Sequence, residues 1–241
     1  MDGSLTPAAR HRARRWQHRW LLLGVPAGVL AILTINVLAS GPLVGADQRI
    51  RTTVQTLADA RAWQWLGGPA RLIVDLADPL FCVPVLLVSA LTVSCRHRSL
   101  RPLLAAAVAV ALLLVTVIPA KIMIGRLAPG QLHMVPGGLG SFPSGHATTA
   151  SVCYVLAAAP LLPYLPAWTR RAALAALPVW CFLIGAALVW GDYHWFTDVA
   201  AGWALAAIII QLTVGLTRDA YRDPSTPSGA PDERLASPLT T

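Results

Sequence analysis

Gly140-Ser141-Phe142-Pro143-Ser144-Gly145-His146-Ala147 is a short polar island between two long apolar runs. The proline sets a turn, and Ser144 and Gly145 add a hydroxyl and a backbone that lets a ligand approach closely. His146 follows just as the next apolar helix begins. The first N–H groups of a helix lack intrahelical acceptors, so this turn makes a good anion site. An imidazole beside it exchanges a proton near neutral pH.

The flanking runs set the fold class. Of the 241 residues, 56% are hydrophobic and 12% charged, with a mean hydropathy of +0.59. Such a composition excludes an ordinary soluble domain. It predicts an all-α polytopic membrane protein, a bundle of six transmembrane helices over roughly 20–42, 78–95, 102–120, 147–165, 172–190 and 195–216. These form one domain, 20–216, between a basic cytoplasmic tail, 1–19, and a polar, Pro- and Ser-containing cytoplasmic tail, 217–241, read as disordered. The net charge of +8 would suggest nucleic acid in a soluble chain. Here the arginines stand at the ends of apolar runs, where they anchor helices at the membrane surface, and no nucleic-acid partner is expected. Cys82, Cys95, Cys153 and Cys181 are scattered without metal-ligand spacing and read as small apolar residues.

Residues 45–77 break the apolar pattern. Ile50, Val54, Leu57, Ala58 and Trp65 recur at near-helical spacing with Arg49, Arg51, Asp59 and Arg61 between them. The pattern predicts an amphipathic helix on the outer surface, ended by Gly67-Gly68-Pro69. Asp78-Pro79 then reads as an N-cap followed by proline at the first helical position.

Arginines in the N-terminal tail, the 96–101 loop, residues 170–171 and Arg218 and Arg222 fall on one side of a six-span bundle. The positive-inside rule makes that side the cytoplasm. Lys121, the only lysine in the chain, the Ser144–His146 turn and the turn around His194 then share the opposite side. His194 and Asp198 are spaced i, i+4, which on a helix puts both on one face. A carboxylate at that spacing holds an imidazole in one tautomer and activates it as nucleophile or base. His146 is available as general acid. Lys121, Ser144 and the Gly145 N–H suit an oxyanion. The set suits phosphoryl transfer through a phosphohistidine. Nothing in the sequence resembles the clustered carboxylates of a Mg²⁺ cage, so neither metal nor cofactor is called for.

At these residues the chain resembles the type-2 phosphatidic acid phosphatase superfamily, whose signature is K-x6-R-P, then P-S-G-H, then S-R-x5-H-x3-D. Pro143-Ser144-Gly145-His146 matches the second part, His194 and Asp198 the end of the third, and Lys121 and Pro129 the ends of the first. Val199 and Gly202 fit the usual continuation. The first-part arginine falls on Ala128, and the third-part serine and arginine fall on Ala187 and Leu188. Losing two charge-assisted guanidinium contacts is expected to weaken phosphate binding by several kcal/mol. Arg126, two residues before Ala128, is the expected partial substitute.

The resemblance implies that His194 attacks phosphorus, Asp198 orients it, and His146 protonates the leaving oxygen. Lys121, Ser144, Gly145 and Arg126 would hold the phosphate, without metal or cofactor. The implied partners are the bilayer and a lipid phosphate of phosphatidate, phosphatidylglycerophosphate or polyprenyl (pyro)phosphate type. The protein would act in the plasma membrane with its site extracytoplasmic. Three functions fit: lipid phosphate phosphatase, lipid phosphotransferase of the same fold, and a catalytically degenerate binder of lipid phosphates.

Overall fold

The computed structural model describes the backbone of residues 7–134 and 136–217, and the side chains from residue 22 onward within those ranges. The described residues are helical, with no strand among them. The helices are α1 (Pro7–Leu38), α2 (Pro42–Asp59), α3 (Gly67–Leu76), α4 (Pro79–His97), α5 (Arg101–Ile124), α6 (Gly145–Ala158), α7 (Ala167–Trp190) and α8 (Phe196–Leu216). Two 3₁₀ turns, Gln64–Leu66 and Leu162–Tyr164, connect them.

Among the described residues, α4, α5, α7 and α8 are long and apolar enough to cross a bilayer. The apolar part of α1, Leu22–Leu38, counts as a fifth span when joined to α2, from which it is bent by 87°. The stretch expected as the fourth span is α6, only 14 residues long, with its 3₁₀ turn beyond. At about 1.5 Å per residue this helix alone covers only about 21 Å. Many outer side chains of α4, α5 and α7 are large, apolar and exposed, Leu87, Val88, Leu114, Val115 and Phe182 among them. That is the surface a hydrocarbon solvent requires.

α6 is the centre of the bundle, packed between α4 and α8, with α5 and α7 also against it and α1 on the far side of α8. Nine of its residues, Ala147–Cys153, Leu156 and Ala157, are buried. Small side chains here let neighbouring helices come close, as packing in lipid favours. Gly202 of α8 is the tightest point of that seam: a Cβ there would stand 3.0 Å from the Ser144 carbonyl oxygen and 3.1 Å from Ala147 Cβ. The crossing brings the first turn of α6 against the first turn of α8.

Two expectations about helix ends are corrected. The outer amphipathic helix is two helices, α2 and α3, broken at Ala60–Trp63 rather than at Gly67-Gly68-Pro69. The Gly-Gly-Pro stretch instead opens α3, because a proline in a first turn removes no intrahelical hydrogen bond. Residues 7–19, expected as a tail, continue α1, while 1–6 and the C-terminal tail from 218 lie outside the described residues. Asp78 does cap α4, accepting from the Leu80 N–H at 2.8 Å with Pro79 behind it.

Candidate active site

The N-terminal ends of α4, α6 and α8 and the C-terminal ends of α5 and α7 meet at one end of the bundle. Arg96, Arg98, Arg101, Arg170 and Arg171 belong to the other ends of α4, α5 and α7. Ser144 is fully buried and caps α6, its Oγ accepting from the Ala147 N–H at 3.2 Å. The Thr148 N–H returns to the Ser144 carbonyl at 3.1 Å. The N–H groups of Gly145 and His146 are left without intrahelical acceptors by helix geometry. The Ser144 N–H donates to the Asp198 carbonyl at 3.0 Å, tying α6 directly to α8.

His146 and His194 face each other across this junction, ring centroids 6.1 Å apart and nearly edge to face. His146 Nε2 lies 3.8 Å from Asp78 Oδ2. His194 is buried, and its Nδ1 lies 3.5 Å from Asp198 Oδ2. The two do not share a helix, as the i, i+4 spacing had suggested, since α8 begins only at Phe196. They meet because Asp198, in the first turn of α8, folds back and also accepts the Trp195 N–H at 3.3 Å.

Lys121 leans over the start of α6: a Cβ on Gly145 would stand 3.4 Å from its Cε. Its Nζ donates to the Gly140 carbonyl at 2.6 Å. Gly140 is forced by the same approach, since a Cβ there would fall 2.6 Å from the Lys121 carbonyl oxygen. Lys121, His146, His194 and Asp198 thus come together at one end of the bundle, from three separate stretches of sequence.

Arg126 has a different environment from the one expected of a phosphate contact. Its guanidinium is 10% exposed and lies between two carboxylates. Nη1 donates to Asp198 Oδ1 at 2.5 Å and to Thr197 Oγ1 at 2.7 Å, and Nη2 donates to Asp47 Oδ2 at 2.7 Å. Asp47, on α2, is 1% exposed and also accepts the Thr197 N–H and hydroxyl, at 3.0 and 2.5 Å. Leu188 is fully buried in the apolar core, and its carbonyl receives the N–H groups of Tyr193 and His194 at 3.0 and 3.4 Å.

The family model of the PAP2 superfamily matches residues 102–222, which hold every one of the residues just brought together except Asp47 and Asp78. The chain belongs to the PAP2 superfamily. The fold of this PAP2 chain is similar to a solved structure described as the first transmembrane PAP2-type phosphatidylglycerolphosphate phosphatase from Bacillus subtilis. The TM-score is 0.67 at 22% identity, over 80% of this chain and 96% of that one. No curated protein matches in sequence.

Reading the sequence missed Asp47, Asp192 and Trp195. The Trp195 ring lies under two guanidinium groups, Arg126 at 5.3 Å and Arg51 at 5.8 Å, and its Nε1 donates to the Leu127 carbonyl at 2.8 Å. The only hint of Asp47 was a carboxylate directly after the apolar stretch Pro42–Ala46, in the second turn of α2.

Proposed function

We propose that this protein is an integral membrane phosphatase that hydrolyses a phosphate ester or pyrophosphate of a lipid through a phosphohistidine on His194. The observation that carries the proposal is the pair of imidazoles 6.1 Å apart at the start of α6, at one end of an apolar bundle. A tetrahedral phosphate fits between rings at that separation, with attack from one side and departure from the other.

His194 Nε2 attacks phosphorus while the P–O bond to the lipid alcohol breaks. His146 gives its proton to that leaving oxygen. Asp198 at Nδ1 keeps the attacking nitrogen unprotonated and stabilises the positive ring that forms. Water then attacks the phosphohistidine, His146 takes a proton from it, and inorganic phosphate leaves. Lys121 and the N–H groups at the start of α6 hold the non-bridging oxygens, where charge builds up. Ser144 contributes as the residue that shapes that helix start. Arg126 serves as the clamp on Asp198, with three of its five N–H donors given to Asp198, Thr197 and Asp47.

The bilayer delivers the substrate laterally to a site at the end of the helices. α1, α4, α5, α6, α7 and α8 make six crossings, with α6 completed by the turn that follows it. The arginines at the far ends of α4, α5 and α7 favour that end as cytoplasmic and put the site at the extracytoplasmic face of the plasma membrane. One observation favours a second reading. With Arg126 committed internally and Leu188 buried, the phosphate is gripped by fewer guanidinium groups than the family signature provides. The second reading is a phosphotransferase of the same fold, passing a headgroup phosphate to an alcohol.

Purified protein in detergent, given phosphatidate, phosphatidylglycerophosphate and polyprenyl pyrophosphate with and without alcohol acceptors, tests this. Free phosphate that vanishes in His194→Ala supports the phosphatase. Product seen only with acceptor supports the transferase. A folded protein with no turnover on any of them leaves a lipid-phosphate binder.

A further inference from the structure

One face of α2 carries Asp47, Arg51 and Gln55 at i, i+4 and i+8, the spacing that stacks side chains along a helix. All three reach the stretch from the last residue of α7 to the first turn of α8, Trp190 to Asp198, which bears His194. Asp47 accepts from the Thr197 N–H and hydroxyl and from Arg126, which in turn holds Asp198. Arg51 makes two parallel bonds to Asp192, Nε to Oδ1 at 2.7 Å and Nη2 to Oδ2 at 2.6 Å. Gln55 Nε2 donates to the Trp190 carbonyl at 3.4 Å.

The segment held in this way is bent tightly. Asp192 has φ +58°, the left-handed region that few side chains adopt. The Tyr193 and His194 N–H groups fold back to the Leu188 carbonyl. The loop after α5 passes close to the same ion pair, since a Cβ on Gly130 would stand 3.3 Å from Arg51 Nη2. Trp195 fills the space under Arg51 and Arg126.

We propose that α2 is a positioning strap for the nucleophile: its Asp47–Arg51–Gln55 face fixes the turn that places His194 and Asp198 opposite His146. This rests on the phosphatase reading for its kinetic consequence, though not for its structural one. α2 itself touches no substrate in this scheme. It acts through Asp192, Thr197 and Arg126, so Asp47 and Arg51 are positioning residues. α2 joins α1 through an 87° bend and lies across the end of the bundle rather than within it. Cutting its contacts therefore loosens one turn and leaves the packed core of α4, α5, α6 and α8 in place.

The ion pair between Arg51 and Asp192 is partly open to solvent, so exchanging its charges strands neither charge away from water. The variants are Arg51→Asp, Asp192→Arg and the double exchange, with Asp47→Asn alongside. Each is measured on a lipid phosphate that the unaltered protein turns over. Small displacements of a catalytic group cost up to about 100-fold in rate. The singles and Asp47→Asn are expected to lower kcat about 10- to 100-fold with KM within about twofold. The double exchange is expected to recover most of the loss. A folded Asp47→Asn with unchanged kcat, or a double exchange no better than the worse single, overturns the strap. If Asp47→Asn does not fold, the charge exchange decides alone.

Amide hydrogen exchange over residues 190–198 separates this proposal from the phosphatase reading. Arg51→Ala is expected to speed exchange there and leave α4 and α6 protected, whether or not any lipid is turned over. Unchanged exchange in that turn refutes the strap even in an active enzyme. Faster exchange in a protein that turns over nothing upholds the strap and refutes the enzyme.

Discussion

Replacing Arg126 by methionine would strand two carboxylates away from water. Asp198 is fully buried and Asp47 is 1% exposed, and the guanidinium between them makes three hydrogen bonds, to Asp198, Thr197 and Asp47. Removing one partner of a buried ion pair costs about 3–5 kcal/mol, because the other charge stays buried without compensation. In a chain of this length that corresponds to a fall in Tm of about 6–20 °C. The companion variant Arg126→Met/Asp47→Asn removes one of the stranded charges. It is expected to regain about 1–3 kcal/mol of the loss, so the double variant should be more stable than the single. Thermal unfolding in one detergent, followed by the exposure of buried cysteines such as Cys82 and Cys153, reads both numbers. In the same samples turnover of a lipid phosphate should fall more steeply than stability, because Asp198 loses the group that aims it. An Arg126→Met protein with unchanged Tm, or a double variant showing the two losses simply summed, would refute the assignment of Arg126 to an internal clamp.

Other outcomes follow from the same geometry. Gly202→Ala puts a Cβ 3.0 Å from the Ser144 carbonyl oxygen and 3.1 Å from Thr148 Oγ1. It should cost about 1–3 kcal/mol of stability by overpacking and reduce turnover by pushing the starts of α6 and α8 apart, as unfolding midpoints and kcat would record. Leu188→Arg forces a cation into a fully buried apolar position and should unfold the protein or lower its Tm by several degrees. Ala128→Arg, on the partly exposed loop, should fold normally and tighten inhibition by inorganic phosphate. Asp78→Asn keeps an N-cap for α4 but removes the charge 3.8 Å from His146. It should leave Tm within about 1 °C and lower kcat by no more than about fivefold, the effect of a weak exposed pair.

Much of the site was legible because its parts are local. Ser144 and His146 announce a capped helix start in four consecutive residues, and Asp78-Pro79 does the same for α4. Alternation of apolar runs and arginine clusters brought Lys121, His146 and His194 to one end before any coordinates. What was not legible is held by partners far apart in sequence. Arg126 meets Asp47 across 79 residues, and Arg51 meets Asp192 across 141. No local pattern says which of several arginines near a signature turns toward a carboxylate and which toward a ligand. The break in the outer helix was misplaced for a related reason. Gly-Gly-Pro reads as a helix breaker by propensity, yet at a helix start its cost is small. The brevity of α6 was hidden because the apolar sequence runs on through Leu165 after the helix has stopped at Ala158.

The central claim is chemical: one imidazole, that of His194, carries the phosphoryl group. Rapid mixing of the purified protein with a lipid phosphate labelled at phosphorus, quenching in alkali within milliseconds and mapping the labelled peptide tests it directly. The account predicts alkali-stable, acid-labile label on the peptide containing His194, and no label in His194→Ala. Turnover that persists in His194→Ala, or label that settles on His146 instead, would contradict it.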